Sequence, residues 1–405
     1  MRRPPAGPAR QAGFRARRTG MWYNTAVMKK TTIPFAALAA FASILAGCSP
    51  SDGTEELALG QKAYEAHDLK KAEKLFADCV RLSPGNADAM LYLARVKLDA
   101  GEIEEAKSWA SKAEAVAGGD VDVKLVAAQV AWHAKDYDRS AELFRSVADD
   151  AGLAPELRAQ GWAGVGIVEM AKERHHLARI AFLRAIRLDR RSASAWYHLG
   201  LVYRDAFGYY EAALEQFEIF VRLEASASTR VQKALRATIP SLKEQIAREA
   251  ANRPGVSRRD SAASAAALAK AEAAWRKGNL RNARDAYAEA LKADSLSYPA
   301  ALGLARAWAK TDSTKAGQTR AFENYKVACT LRPGAISTFL ATGELAARLG
   351  YHAQAAEIFS RAVAASPTST QAIDGLIRAL QRTGGHKADA AAYQRYRESL
   401  AAKRN

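Results

Sequence analysis

The chain has 405 residues, 60 Lys and Arg against 43 Asp and Glu, 49% hydrophobic side chains and three cysteines. Six arginines with Lys29 and Lys30 before residue 48 supply eight of the seventeen net positive charges. The remaining +9 makes a mildly basic surface, without the aromatic-basic clustering of a nucleic-acid footprint. Three cysteines exclude a disulfide framework, and a composition rich in Ala, Leu, Arg and Glu with almost no β-branched alternation favours helix nearly throughout.

Residues 1–27 carry Arg2, Arg3, Arg10, Arg15, Arg17 and Arg18 with no acid and read as an upstream extension, with Met28 the expected initiator. Residues 28–47 then read as a secretory leader: Lys29 and Lys30 form a positive start, and Ile33 to Leu45 form an apolar stretch. That stretch is too short to cross a bilayer, which takes ~20 apolar residues. Leu45-Ala46-Gly47-Cys48 resembles the lipobox of bacterial lipoproteins. The resemblance implies cleavage between Gly47 and Cys48, acylation of the Cys48 thiol and a lipidated N-terminus over 48–52. Ser49, where an Asp would imply retention at the inner membrane, points to the outer membrane facing the periplasm. At ~0.8 kcal/mol per buried methylene, several acyl chains would hold such a chain at a membrane without a spanning helix.

From Gly60 onward a pattern recurs: a small residue at Ala72, an aromatic at Phe76, a small residue at Cys79 and a proline at Pro84. Gly343, Ala355, Phe359, Ala362 and Pro367 repeat the same offsets of 12, 16, 19 and 24. Intermediate copies run through Ala94, Ala106 and Ala113; Ala128, Ser140, Phe144 and Val147; Gly166, Ala178, Phe182 and Ala185; and Ala271, Ala283, Tyr287 and Ala290. The spacing predicts two helices and a turn per unit, each helix with one apolar stripe, and small residues where the helix axes approach.

Trp196-x-x-Leu199-Gly200-x-x-Tyr203 followed by Ala213 and Phe217 resembles the tetratricopeptide repeat. The resemblance implies an all-α solenoid in two superhelical arrays, about five units over 53–224 and about four over 264–405. In the copy at Trp196 the small and aromatic residues come one position late, which predicts an insertion in the turn near Phe207-Gly208. The copy from Ala305 to Ala321, Tyr325, Ala328 and Pro333 predicts four extra residues in its turn. Between the arrays, residues 225–263 break the period with eight basic residues (Arg230, Lys233, Arg236, Lys243, Arg248, Arg253, Arg258, Arg259) against three acids. Thr229 to Ala251 reads as a helix or helix pair bent at Pro240 that caps the first array, and Pro254-Gly255 as a flexible stretch.

No phosphate loop, zincin helix, nucleophile elbow or paired-cysteine metal site is present, so neither catalysis nor a cofactor or metal is expected. His67, His175, His176, His352 and His386 fall in or beside turns, where solvation is expected. His175-His176 lacks a second cluster with ligand spacing. Cys79 and Cys329 occupy the small-residue slot and are expected to be buried and inert.

Function is expected on the concave wall lined by the first helix of each unit, which in such solenoids takes peptides or protein segments. The offsets place Gln61, Tyr64, Tyr92, Arg95, Gln129, Trp132, Met170, Tyr197 and Arg204 there, although aromatics at helical spacing also serve as packing between units. The second array offers Glu272, Trp275, Arg306, Glu344, Arg378 and Arg382. Gln61, Arg95 and Gln129 do not match the Lys/Asn clamp of relatives that grip a C-terminal carboxylate. The expectation is an envelope-anchored adaptor, tethered through Cys48, that recruits proteins and neither nucleic acid nor metal. An accessory protein for a cell-wall or polysaccharide enzyme, and a cytoplasmic scaffold if the leader is unused, are the competing readings.

Overall fold

The computed structural model describes residues 52–224, 230–251 and 260–401. The upstream extension, the leader, Cys48, Pro254-Gly255 and the basic residues Arg253, Arg258 and Arg259 lie outside the described residues. Among those described, the chain is all α, with nineteen α-helices, one π-helical turn and no strand.

The helices come in antiparallel pairs. The N-terminal pairs are α1 (Thr54–Glu65) with α2 (Leu69–Leu82), α3 (Ala87–Ala100) with α4 (Ile103–Ala117), and α5 (Val121–His133) with α6 (Tyr137–Asp149). They continue with α7 (Pro155–Ala171) and α8 (His175–Leu188), then α9 (Ala193–Leu201) and α10 (Tyr210–Leu223). After the single helix α11 (Arg230–Ala251) come α12 (Ser261–Arg276) with α13 (Leu280–Ala293), and α14 (Tyr298–Thr311) with α15 (Lys315–Leu331). The last pairs are α16 (Ile336–Arg348) with α17 (His352–Ala365), and α18 (Thr370–Thr383) with α19 (Lys387–Ala401).

Local chemistry starts and stops these helices. Side chains of Asp68, Asn86, Asp120, Asp136, Asn279, Ser297 and Ser369 accept from backbone N–H groups in the first turn that follows, taking up donors that have no partner inside the helix. Within most pairs the chain reverses through one left-handed residue. Gly101, Gly278 and Gly350 hold it at φ 75 to 83°, while His67, Lys135 and Glu173 adopt φ 58 to 64° despite their Cβ atoms.

Most pairs interlock through one aromatic side chain, although α4 carries Ala110 at that position. A Cβ on Gly343 of α16 would lie 2.7 Å from Phe359 of α17, and one on Gly375 of α18 would lie 2.4 Å from the same ring. Phe359 therefore fills space left by two missing side chains, one in its own pair and one in the next. Gly60 with Phe76, Gly166 with Phe182, and Gly200 with Phe217 repeat the first contact. Gly164 with Phe144 and Gly303 with Tyr287 repeat the second. Where the next pair lacks that glycine it supplies a ring: Tyr92 stacks on Phe76 at 4.9 Å and His198 on Phe182 at 5.7 Å. Ala72, Ala106, Ala178, Ala213, Ala283 and Ala355 are fully buried where second helices cross first helices.

Both irregular copies differ from the sequence expectation. The extra residue before Gly208 is absorbed in a π-helical turn, Val202–Phe207, at the end of α9, with Gly208 at φ 64° closing it. The additional residues after Ala305 lengthen α15, which has 17 residues against 14 in α13 and α17, and leave the turn short. Thr314 caps this extra turn of helix by accepting from the Gly317 amide at 3.2 Å. Helix α11 keeps Pro240 within it, buries Leu235 and Leu242, and packs on α10, where Lys243 pairs with Glu218 at 2.8 Å.

The C-terminal pairs fold back on the N-terminal ones. Helix α19 packs on α8, and one core cluster includes Ala159, Phe182 and Phe217 together with Phe359, Tyr393 and Tyr396. Arg187 Nη1 donates to the Ser399 carbonyl at 2.6 Å, and Tyr209 Oη donates to the Glu357 carbonyl at 3.4 Å. His176, expected in solvent, lies instead in this seam, its ring centroid 5.1 Å from Phe207 and 5.9 Å from Tyr393. Its place at the start of α8 is turn-like in sequence, but a distant helix covers it.

Overpacking tests the interlock. Ala355→Leu, at a fully buried crossing, is expected to lower stability by ~1–3 kcal/mol, whereas Ala353→Leu on the exposed face of α17 should change it by less than ~0.5 kcal/mol. Urea unfolding followed by circular dichroism checks the difference.

Candidate protein-binding groove

First helices of successive pairs touch one another in an unbroken row, α1 to α3, α5, α7 and α9, and again α16 to α18. This row forms one wall; of the nine side chains expected to line it, eight lie on α1, α3, α5, α7 and α9, and Arg204 lies on the π-helical turn after α9. Tyr64 and Gln129 are buried, and Gln61, Tyr92, Arg95, Trp132, Met170, Tyr197 and Arg204 are half-buried, so none projects freely into solvent.

Packing explains much of that burial. The Tyr64 hydroxyl donates to Asp99 Oδ2 at 2.6 Å and its ring meets Tyr92 edge-on at 6.0 Å. Tyr92 is shared between stacking on Phe76 and supporting Arg95, whose guanidinium carbon lies 5.3 Å above its ring. Trp132 packs between two core clusters, and Met170 lies against one of them. Tyr197 lies 5.5 Å from Phe220 and 6.2 Å from Phe217. Arg204 Nε is held by Asp205 at 2.5 Å, with its guanidinium carbon 5.6 Å from the Phe217 ring centroid. The outcome is a stiff wall whose polar atoms are oriented by their neighbours, which limits the ordering entropy lost on binding.

Carboxylates surround Arg95. Burial pushes the Asp88 carboxyl up, and Asp120 and Asp122 reinforce the shift while Arg95 opposes it. Asp99 is also raised, mainly by burial, against the hydrogen bond from Tyr64 and the charges of His67 and Arg95. On the C-terminal pairs, Trp275 meets Tyr287 edge-on at 6.5 Å, and Glu272, Arg306, Glu344, Arg378 and Arg382 are exposed. Glu344 accepts from Gln371 of the next pair at 3.3 Å.

Sequence reasoning missed two charged centres. Lys97 Nζ gathers Glu73 at 2.7 Å, Glu102 at 2.6 Å and Glu105 at 2.7 Å, tying α2, α3 and α4 together, and these hydrogen bonds raise the lysine well above its ordinary range. Arg179 is fully buried in the seam. Its signal was present in α8, which buries Ile180, Ala181 and Leu183 in addition to the repeat positions Ala178, Phe182 and Ala185 and so has apolar residues on more than one face.

A cleft beside the seam is lined by Asp138, Glu142, Arg145, Glu169, Lys172 and Arg395, among others. Its charges pair among themselves. Glu169 binds Arg174 Nε at 2.6 Å, and the hydrogen bond from Lys172 holds the Asp138 carboxyl below its usual range. Among the described residues no group of three or more His, Cys, Asp or Glu is placed to hold a metal, and no helix is long and apolar enough to cross a membrane. Cys79 and Cys329 are free and buried, and burial pushes the Cys329 thiol up to about 11.

Family models described as tetratricopeptide repeat match residues 63–130, 166–228 and 258–317. The chain carries tetratricopeptide repeats. Among solved structures, a functionally characterised pilF of Pseudomonas aeruginosa is 19% identical over 50% of this chain and 93% of its own, with a TM-score of 0.39. A thermophilic tetratricopeptide protein of Thermus thermophilus is 17% identical over 47% and 98%, with a TM-score of 0.40. A chain of the APC/C hetero-tetramer Cut9–Hcn1 covers more, 86% of this chain and 79% of its own, at 14% identity and a TM-score of 0.33. No curated protein matches the chain. The assignment rests on the family models and on the stacked helix pairs, and tetratricopeptide solenoids are in general surfaces for protein-protein contact.

Buried thiols give a direct check on the packing. In a Cys48→Ser chain at pH 8, Cys79 and Cys329 are expected to resist a thiol-specific reagent until denaturant is added and then to react in full. Rapid labelling of the native chain would show the small-residue slots to be open.

Proposed function

We propose that the protein is an envelope-anchored adaptor, probing partners with the wall of first helices while an acylated Cys48 holds it at the outer membrane, facing the periplasm. Two stacks, 53–224 and 264–405, joined through the basic helix α11, supply two walls of different character: the first is aromatic and amide-bearing, the second more charged. Such walls suit protein segments rather than small molecules, since they offer length and edge contacts rather than enclosure.

One observation carries this reading. The hydrogen bonds and ring contacts that bring the C-terminal pairs onto the N-terminal ones come from α8, Tyr209, α17 and α19. Fold-back therefore uses the second helices, and the wall carrying Gln61, Tyr92, Arg95, Trp132 and Tyr197 stays outside the seam. The leader and lipobox pattern at residues 28–48 supports the anchoring part.

Crosslinking in intact cells followed by purification from membranes tests both parts. Gln61→Ala with Arg95→Glu, which alter half-buried polar groups, and Trp132→Ala and Tyr197→Ala, which remove rings, are each expected to lose partners recovered with the native chain at unchanged helix content. Recovery of the same partners from all three variants would overturn the wall assignment. Cys48→Ser is expected to move the protein from the membrane to the soluble fraction, and retention of membrane attachment would overturn the anchor.

A further inference from the structure

The seam between the N-terminal and C-terminal pairs is built on a cation that has no counter-ion among the described residues. Arg179 is fully buried, and every partner of its guanidinium is neutral. Nη1 donates to the Ser360 carbonyl at 3.2 Å and to Ser360 Oγ at 2.9 Å, and Nε donates to Tyr393 Oη at 2.7 Å. Nη2 donates to the same hydroxyl. The rings of Phe207 and Tyr393 lie 4.7 Å and 5.3 Å from the guanidinium carbon and offer their faces.

The Tyr393 hydroxyl is the pivot of this arrangement. The two Arg179 donors occupy both of its lone pairs, and it sits 3.3 Å from His176 Nδ1. Its single proton is what remains for that contact, so Nδ1 is the bare, accepting nitrogen and the ring proton is on Nε2. A proton added to Nδ1 would turn the acceptor into a donor aimed at a hydroxyl with no lone pair left, and would set a second cation from the half-buried His176 beside the fully buried Arg179.

We propose that this seam is an acid-sensitive latch: protonation of His176 expels it from the Tyr393–Arg179 cluster and releases the C-terminal pairs from α8, while each stack keeps its own helices. The surrounding groups all act in one direction. Arg179 and His175 on α8 and His386 from the segment before α19 each disfavour a charge on His176. Tyr393 is neutral, its phenol pushed up to about 12 by burial. Asp389 of α19 is engaged by His386 Nδ1 at 3.0 Å.

The sign follows from the proton affinities of the two arrangements. Released, His176 has an ordinary imidazole, protonating near ~6.5. Docked, burial first and then Arg179, His386 and His175 lower it to about 3. The docked form thus binds fewer protons, so docking is at full strength above ~6.5 and weakens about tenfold per pH unit below it until the docked value is reached. Between pH 7 and pH 5 the docking constant should fall by about 25-fold.

Small-angle X-ray scattering of the full chain tests the latch, with far-UV circular dichroism alongside. From pH 7.5 to pH 5.0 the native chain is expected to gain radius of gyration at constant helix content, and His176→Phe, which keeps a ring but cannot titrate, is expected not to. Equal expansion of the two, or no expansion of the native chain, would overturn the proposal. Amide exchange in the native chain gives a second readout that needs no variant. After correction for the intrinsic pH dependence, protection in α19 and on the exposed side of α8 should fall below ~pH 6 while that of α3 and α4 holds. Constant protection in α19 would overturn the proposal as well.

Discussion

Most of the stacking in this molecule depends on one kind of contact, an aromatic side chain of a second helix seated where a first helix lacks a Cβ atom or offers a ring. Phe359 between Gly343 and Gly375 is the clearest case, with 2.7 Å and 2.4 Å separating the ring from where those side chains would begin. Close approach of backbones at these points lets a helix pair bury one face on itself and another on its neighbour, which no single pair could do alone. The period of the sequence is the spacing of that contact, and the row of first helices forming a continuous wall is its geometric result.

Much of this was legible because the contact demands particular residue types at particular offsets. A small residue, then an alanine twelve positions on and an aromatic sixteen on, can be read without knowing the fold, and the helices lie where those offsets put them. Tyr92 and His198 were harder to read. Each replaces the glycine of the following pair by stacking a ring on Phe76 or Phe182, so a residue that looks exposed by offset or polar by type is partly a packing residue. Irregular copies were visible as slips of register, but whether a slip becomes a longer turn, a π-turn or an extra turn of helix depends on caps such as Thr314 and on local packing that spacing alone does not encode.

The seam lay beyond such reading for a different reason. Arg179 and Tyr393 are separated by 214 positions, and nothing in a repeat pattern states which distant unit will return to cover a second helix. The only sign was an excess of apolar residues on α8. The groove shows the opposite case: its residues were located by offset, but their half-burial and mutual support, as in Tyr64 with Asp99 and Arg204 with Asp205, emerge only in three dimensions. In the proposed function, a wall stiffened in this way and left out of the seam would meet a partner while the second helices hold the two stacks together, with recognition and closure on different faces of the same helix pairs.

The most direct measurement of the central contact is a double-mutant cycle between Gly375→Ala and Phe359→Leu, read by urea unfolding. Because the added methyl and the ring compete for one space, the smaller side chain should relieve the clash, giving a coupling of at least ~1 kcal/mol in favour of the double variant. Additive losses within ~0.3 kcal/mol would mean that ring and glycine do not share that space, and the interlock on which the solenoid is argued to rest would be wrong.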